Sequence, residues 1–257
     1  MGEHRRLVPQ QPSLDGRGHL WGLPTVLRTA LRQPRMRWSW PWRRNDPAVS
    51  PLRQLGWDVH SHLVPGVDDG AQDMVAALDM VRGMVALGYR GMVLTPHIMA
   101  DLYPNSRETL IPAFESLLKA VQDARIPMEM QLAAEYLLDV ECLKSVQQND
   151  VMTFDCLDDT GTMRRMLLLE FGFHHSPDTS LVKEMLFESQ TQGLTPLLAH
   201  CERYPYLHRN ETLLETWHQS GGWMSVNAAS LAVHMVPKPN RWPSAAWNEA
   251  GCPFCAL

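Results

Sequence analysis

The stretch Trp57-Asp58-Val59-His60-Ser61-His62-Leu63-Val64-Pro65-Gly66-Val67-Asp68-Asp69-Gly70 decides how the chain is read. Trp57 to His60 has the character of a short strand, and Pro65, Gly66 and Gly70 punctuate a loop. Met74 to Leu87 then carries apolar residues at helical spacing up to Gly88. The same order of strand, loop and helix recurs down the chain. Strands are expected at 91–95, 127–133, 166–171, 195–199 and 223–226, and helices at 107–124, 140–148, 179–192 and 211–219. Short apolar strands alternating with helices imply an α/β fold: a parallel sheet covered by helices, either closed into a barrel or doubly wound.

Residues able to hold a metal fall at the ends of these strands. The first ends in His60-Ser61-His62, the second in Thr95-Pro96-His97 and the third in Ala134-Glu135. The fourth ends in Glu170, the fifth in His200 and the sixth in Asn227. In a (β/α) barrel such ends converge on one face, so residues distant in sequence would line one pocket. Taken singly, each His has an ordinary reading as a hydrogen-bonded core or surface residue. Together they carry more weight. Strand residues two apart point the same way, so His60 and His62 can present two imidazoles to one ion. Asp68 and Asp69 follow in the loop, where a carboxylate beside imidazoles adds the hard oxygen ligand that Mn, Fe or Zn accepts. Asp68-Asp69-Gly70 also reads as a plain turn with an Asp capping the next helix, and one Asp can cap while the other binds metal.

Composition narrows the class of protein. Of 257 residues, 45 % are hydrophobic and 20 % charged, enough apolar content for a sizeable core. No run of eighteen apolar residues suggests a membrane span, and the first residues lack the apolar core of a secretion signal. The five cysteines are an odd number spread over a long chain, which argues for a reducing cytosol over a disulfide framework; Cys252-Pro253-Phe254-Cys255 is an isolated pair. The net charge of -5 divides unevenly, +7 over residues 1–53 and -12 afterwards. Residues 1–53, with Arg35-Met36-Arg37-Trp38-Ser39-Trp40-Pro41-Trp42-Arg43-Arg44, are expected to be a poorly ordered extension. It is either a solvated tail or a segment making weak contact with a membrane surface, and no nucleic-acid partner is expected.

The first motif resembles those of the polymerase-and-histidinol-phosphatase (PHP) superfamily, as do Thr95-Pro96-His97, Ala134-Glu135-Tyr136 and Leu198-Ala199-His200-Cys201-Glu202-Arg203-Tyr204. Within it the pattern is most similar to the manganese-dependent tyrosine-protein phosphatases of capsular and exopolysaccharide operons, over roughly residues 56–232. The resemblance implies a distorted (β/α)7 barrel over 54–232 holding up to three ions, Mn²⁺ by preference, with Fe, Co or Zn as alternatives. It implies a cytoplasmic enzyme in which a metal-bound hydroxide attacks the phosphorus of a phosphotyrosine on the tail of a bacterial tyrosine autokinase. His60 and His62 would hold the first ion, Glu135 would bridge two ions with His200 on the second, and Asp69 and His97 would hold the third. Arg203 would grip the phosphate.

Two features compete with that reading. His200-Cys201 suggests the thiolate nucleophile of the cysteine-dependent tyrosine phosphatases, but their loop needs an Arg after five intervening residues, and here Leu207 occupies that place. The plain alternative for Arg203 is a surface ion pair with Glu202. The PHP pattern also has a late Asp-x-His, and no Asp follows Asp178 in this chain. Residues 233–257 depart from the pattern, as a truncated or frame-shifted gene would make them, and the barrel is expected to be incomplete there. The alternatives are an inactive remnant or binding protein, and a phosphatase for a small ester such as histidinol phosphate.

Overall fold

The computed structural model describes residues 56–230, apart from 159, 210, 228 and 229. The expected extension at 1–53, the divergent tail at 233–257 and the Cys252/Cys255 pair lie outside the described residues. No helix among the described residues is long and apolar enough to cross a membrane.

The alternation of strands and helices expected from sequence is present. The first helix, α1, spans Met74–Leu87, bounded by an Asp73 carboxylate that accepts from Ala76 N at 2.8 Å and by Gly88 at φ 101°. The others are α2 Arg107–Asp123, α3 Val140–Gln147, α4 Thr179–Thr191 and α5 Glu211–Gln219. Strands β1 (Trp57–Ser61), β2 (Gly91–Leu94) and β4 (Glu129–Leu132) form one parallel sheet in the order β1-β2-β4. In the second sheet, β3 (His97–Ile98), β5 (Glu135–Leu137), β7 (Met163–Glu170), β8 (Leu194–Leu198) and β9 (Trp223–Met224) lie in that order, all parallel.

Two details differ from the sequence-based expectation. First, beyond the strands expected at 91–95 and 127–133 the chain steps from one sheet to the other, and His97 and Glu135 lie on short strands of the second sheet. Ala133 N still bonds Leu94 O at 2.8 Å in the first sheet, whereas Glu135 N bonds Pro96 O at 3.1 Å in the second. Pro96 has no N–H to continue a ladder, which fits a break at that point. Second, the sheet is not wholly parallel, because β6 (Phe154–Leu157) pairs antiparallel with β7. Its residues carry no alternation clean enough to reveal it.

The two sheets share an apolar interior. Val59, Val93, Ala133, Met166, Leu168, Leu197 and Ala199 form one buried cluster drawn from both. On the opposite face, Met92 and Leu94 pack with Ala77 and Val81 of α1 and Leu117 and Val121 of α2. Leu167, Leu169 and Leu198 likewise pack with residues of α3, α4 and α5, including the fully buried Trp217. Strands covered on both faces read as continuous apolar runs, which is why they stand out in the sequence. Glu170 lies two residues beyond Leu168 and Glu135 two beyond Ala133, so both carboxylates share the interior face, one layer above the apolar cluster.

Candidate metal centre

Glu135 is the centre of a polar layer at these strand ends. It is fully buried. Its Oε2 lies 3.0 Å from His60 Nε2, 3.1 Å from His62 Nε2 and 3.4 Å from His97 Nδ1, and its Oε1 lies 3.1 Å from His200 Nε2. Register explains part of this, because β3 and β5 pair His97 with Glu135. The pairing of β1 is irregular between Asp58 and Ser61, and the Nε2 atoms of His60 and of His62, just past the end of β1, lie 3.1 Å apart. His200 takes up a left-handed backbone conformation at φ 32°, at the head of the short turn Cys201–Arg203. Glu170 closes the layer, with its carboxylate oxygens 3.4 Å from His97 Nδ1 and 3.7 Å from His200 Nε2.

The loop after β1 is built around Asp68. This buried carboxylate takes His62 Nδ1 at 2.8 Å, and accepts from Gly70 N at 2.9 Å and His97 N at 3.1 Å. Gly70 is needed for close approach: a Cβ there would sit 1.9 Å from His62 O. Asn105 ties the loop down by donating to Val67 O and His97 O, both at 2.9 Å. Neither Asp68 nor Asp69 caps α1, the cap being Asp73. Asp68 instead fixes the His62 ring, while Asp69 reaches the cleft, 3.6 Å from His97 Nε2 with most of its side chain exposed.

The electrostatics show a site short of positive charge. Burial works to raise Glu135, but the His60, His200 and His62 imidazoles hold it well below the usual carboxylate range. Burial and the neighbouring Glu135 carboxylate push Glu170 up to about 8. His62 resists burial and, through its bonds to Asp68 and Glu135, rises to about 10, whereas burial lowers His60 and His97.

The residues fit a metal. Three groups have ligand atoms within 4.8 Å of one another: His60, His62 and Glu135; His62, Asp69 and His97; and His97, Glu135 and Glu170. Ligands at right angles around a cation, each about 2.0–2.2 Å away, lie about 3 Å apart. That is the spacing of the His60, His62 and Glu135 donors. The buried Nδ1 atoms of His60 and His200 have no hydrogen-bond partner among the described residues. Cavity walls are completed by Phe173, Arg203 and Asn227 around about 250 Å³.

Residues 56–235 match the model of a protein family described as capsular polysaccharide synthesis, CpsB/CapC. The chain belongs to that family. It is 28 % identical over 175 residues to the tyrosine-protein phosphatase YwqE of Bacillus subtilis, covering 68 % of this chain and 65 % of that one. It is 25 % identical over 171 residues to the tyrosine-protein phosphatase CpsB of Streptococcus pneumoniae, covering 66 % and 67 %. The fold matches a crystal structure with a TM-score of 0.60 at 27 % identity, over 68 % of each chain; that work covers YwqE and CpsB as unique metal-dependent tyrosine phosphatases. The chain thus spans about two thirds of the length of the relatives it matches.

In this CpsB/CapC chain the six residues expected to bind metal, His60, His62, Asp69, His97, Glu135 and His200, all line the cleft, as does Arg203. Among the described residues Arg203 makes no ion pair with Glu202. That carboxylate is buried and accepts from Asn227 N at 3.3 Å and Ser230 Oγ at 2.9 Å. Cys201 lies in the apolar core with Leu207, away from the cleft lining. Glu170 stood at a strand end in the sequence but was not in the expected ligand set; its place on the inward face two residues after Leu168 was the available signal. Phe173 follows no strand pattern and gave none.

Proposed function

We propose that this chain is a metal-dependent phosphotyrosine-protein phosphatase, whose substrate is the phosphorylated tail of a tyrosine autokinase controlling capsular or exopolysaccharide synthesis. The observation that carries the proposal is the Glu135-centred layer of four imidazoles and further carboxylates with one arginine at its edge. His60, His62, Asp69, His97, Glu135 and His200 are the proposed ligands for up to three ions, with Glu170 added. Manganese is the ion that the resemblance to manganese-dependent phosphatases favours, and mixed imidazole and carboxylate donors accept Fe, Co or Zn as alternatives. When bound, such ions supply Lewis-acid activation of water and of the phosphoryl group.

The chain's own residues do the rest. Glu135 draws four imidazoles to one point, and Asp68 holds His62 with its Nε2 directed inward. Arg203 offers a planar fork of donors to the equatorial phosphoryl oxygens, where charge is delocalised in the transition state. Among the described residues the cleft lining contains no Ser, Thr or Cys to serve as a nucleophile, and Cys201 is buried in the apolar core.

The test is phosphate release from a phosphotyrosine peptide by the full chain with added Mn²⁺, with histidinol phosphate in parallel and metal content measured by elemental analysis. Release that a chelator abolishes is expected. Release unaffected by chelator, or lost in Cys201→Ser but kept in His60→Ala, overturns the proposal. A chain that held no metal and released no phosphate would instead be a remnant or a binding protein.

A further inference from the structure

Phe173 is the one apolar side chain among the described residues lining the cleft. It is 38 % exposed, so the fold has not used this ring to fill its core. Its position is nevertheless fixed. Its ring stacks on His200 with centroids 5.5 Å apart and planes at 23°, and on Tyr204 at 5.3 Å and 29°. The Arg203 guanidinium carbon sits 4.8 Å from its centroid. The backbone leading to it is pinned twice: Phe171 N donates to Tyr204 Oη at 3.0 Å, and Tyr206 Oη donates to Gly172 O at 2.8 Å. Tyr204 is itself fully buried. A rigid aromatic ring is therefore held beside the arginine and a proposed metal-binding imidazole, with part of its surface open.

We propose that Phe173 is a specificity-determining residue that makes the cleft prefer aryl over alkyl phosphate esters, an inference that rests on the phosphatase reading of the same site. With the phosphoryl group between the imidazoles and Arg203, the organic group of the ester leaves the polar floor beside Phe173. A phenyl ring there gains an offset or edge-to-face contact. The short alkyl groups of phosphoserine or phosphothreonine have no ring to offer and leave Phe173 in water. The contact with Arg203 serves any phosphate ester equally; discrimination comes from the open part of the ring.

Equilibrium binding tests this without turnover. The full chain with Mn²⁺ is titrated calorimetrically with phenylphosphonate and with methylphosphonate, neither of which is a phosphate ester that can be hydrolysed. Wild type should favour the phenyl compound, and Phe173→Ala should reduce that preference by about threefold to tenfold, the range of one aromatic pair. Phe173→Tyr should restore it. Equal losses for both ligands in Phe173→Ala would make the residue a support for Arg203 only and overturn the inference, as would an unchanged preference. Failure of wild type to bind either phosphonate would overturn the phosphate-site reading and the inference together, a result distinct from the other two.

Discussion

One buried carboxylate, Asp158, lies in the turn leading into strand β7 and another, Glu170, ends it, and the fold treats the two in opposite ways. At its start, in the turn from β6, Asp158 Oδ1 accepts from Thr160 N at 3.0 Å, Thr160 Oγ1 at 2.6 Å and Thr162 N at 2.8 Å, while Oδ2 takes Arg164 Nε at 2.8 Å. At its finish, Glu170 faces a second carboxylate, Glu135, and is pushed up to about 8. Asp158 has all the donors it needs from its own hairpin and is held down to about 2. Glu170 has been given a competitor for positive charge. A carboxylate whose donors come from the fold is structural; one that the fold leaves beside another carboxylate among imidazoles is a candidate for completion from outside, and a cation would bring the required charge.

The substitution that tests this contrast hardest is Glu135→Gln. It removes the one charge shared by His60, His62, His97 and His200, so metal content should fall and phosphate release should drop on the order of a thousandfold or more. Elemental analysis with the phosphotyrosine assay checks it, and full metal content with full activity would remove Glu135 from the centre. Arg203→Ala should separate binding of metal from binding of phosphate. Metal content should stay at the wild-type level, while kcat/KM falls about thirtyfold to a thousandfold for loss of a contact worth roughly 2 to 4 kcal/mol. Loss of metal in this variant would place the arginine in a structural role.

A smaller effect distinguishes the two ends of β7 directly. Without metal, Glu170 keeps its proton in the folded chain up to about 8, against an ordinary value of 4.5. A raised carboxyl value means the unfolded chain releases a proton the folded one retains, so stability falls as pH rises through that window. Glu170→Gln carries no such penalty. After chelator treatment it should melt above wild type near pH 8, with the gap closing toward pH 4.5, and yet bind Mn²⁺ more weakly. A lower melting temperature for the chelated variant at pH 8 would count against this account.

How much of this could be read from the sequence depended on whether the signal was local. The span of helix α1 was legible to the residue because its apolar spacing and Gly88 are local features, whereas its cap is Asp73 and not the Asp68-Asp69 pair the sequence offered. That His60, His62, His97, Glu135 and His200 would line one cleft was legible because each stands at or just beyond the end of an expected strand, and such ends converge on one face. The steps between sheets at Pro96 and Ala134, and the antiparallel pairing of β6, were not, since which strand pairs with which is decided by tertiary packing. The division of labour between Asp68 and Asp69 was open for the same reason. Adjacent residues of one type differ only in what the fold places beside them, here His62 and the backbone of His97 for one and the open cleft for the other.

Asp158→Asn is expected to give the smallest effect, and it is the mirror of the Glu170 experiment. Asp158 sits below its ordinary value of 3.8, at about 2, mainly through the hydroxyl of Thr160 and the backbone of Thr162, with Arg164 assisting. A lowered carboxyl value means that the folded chain prefers the charged form. The stability this group contributes is fully present above pH 3.8, and it declines as pH falls through about 2. The variant should therefore melt below wild type at neutral pH, because the amide cannot accept four donors and leaves Arg164 without its counter-charge. The difference should shrink between about pH 4 and pH 2, as the wild-type carboxylate takes up its proton. Metal content should not change, since no Asp158 atom belongs to the cleft. Melting curves at several values across that interval, with elemental analysis at neutral pH, check both halves. A melting difference that stays constant down to pH 2 would show that the hairpin depends on the shape of Asp158 and not on its charge. The contrast between the two ends of β7 would then rest on Glu170 alone.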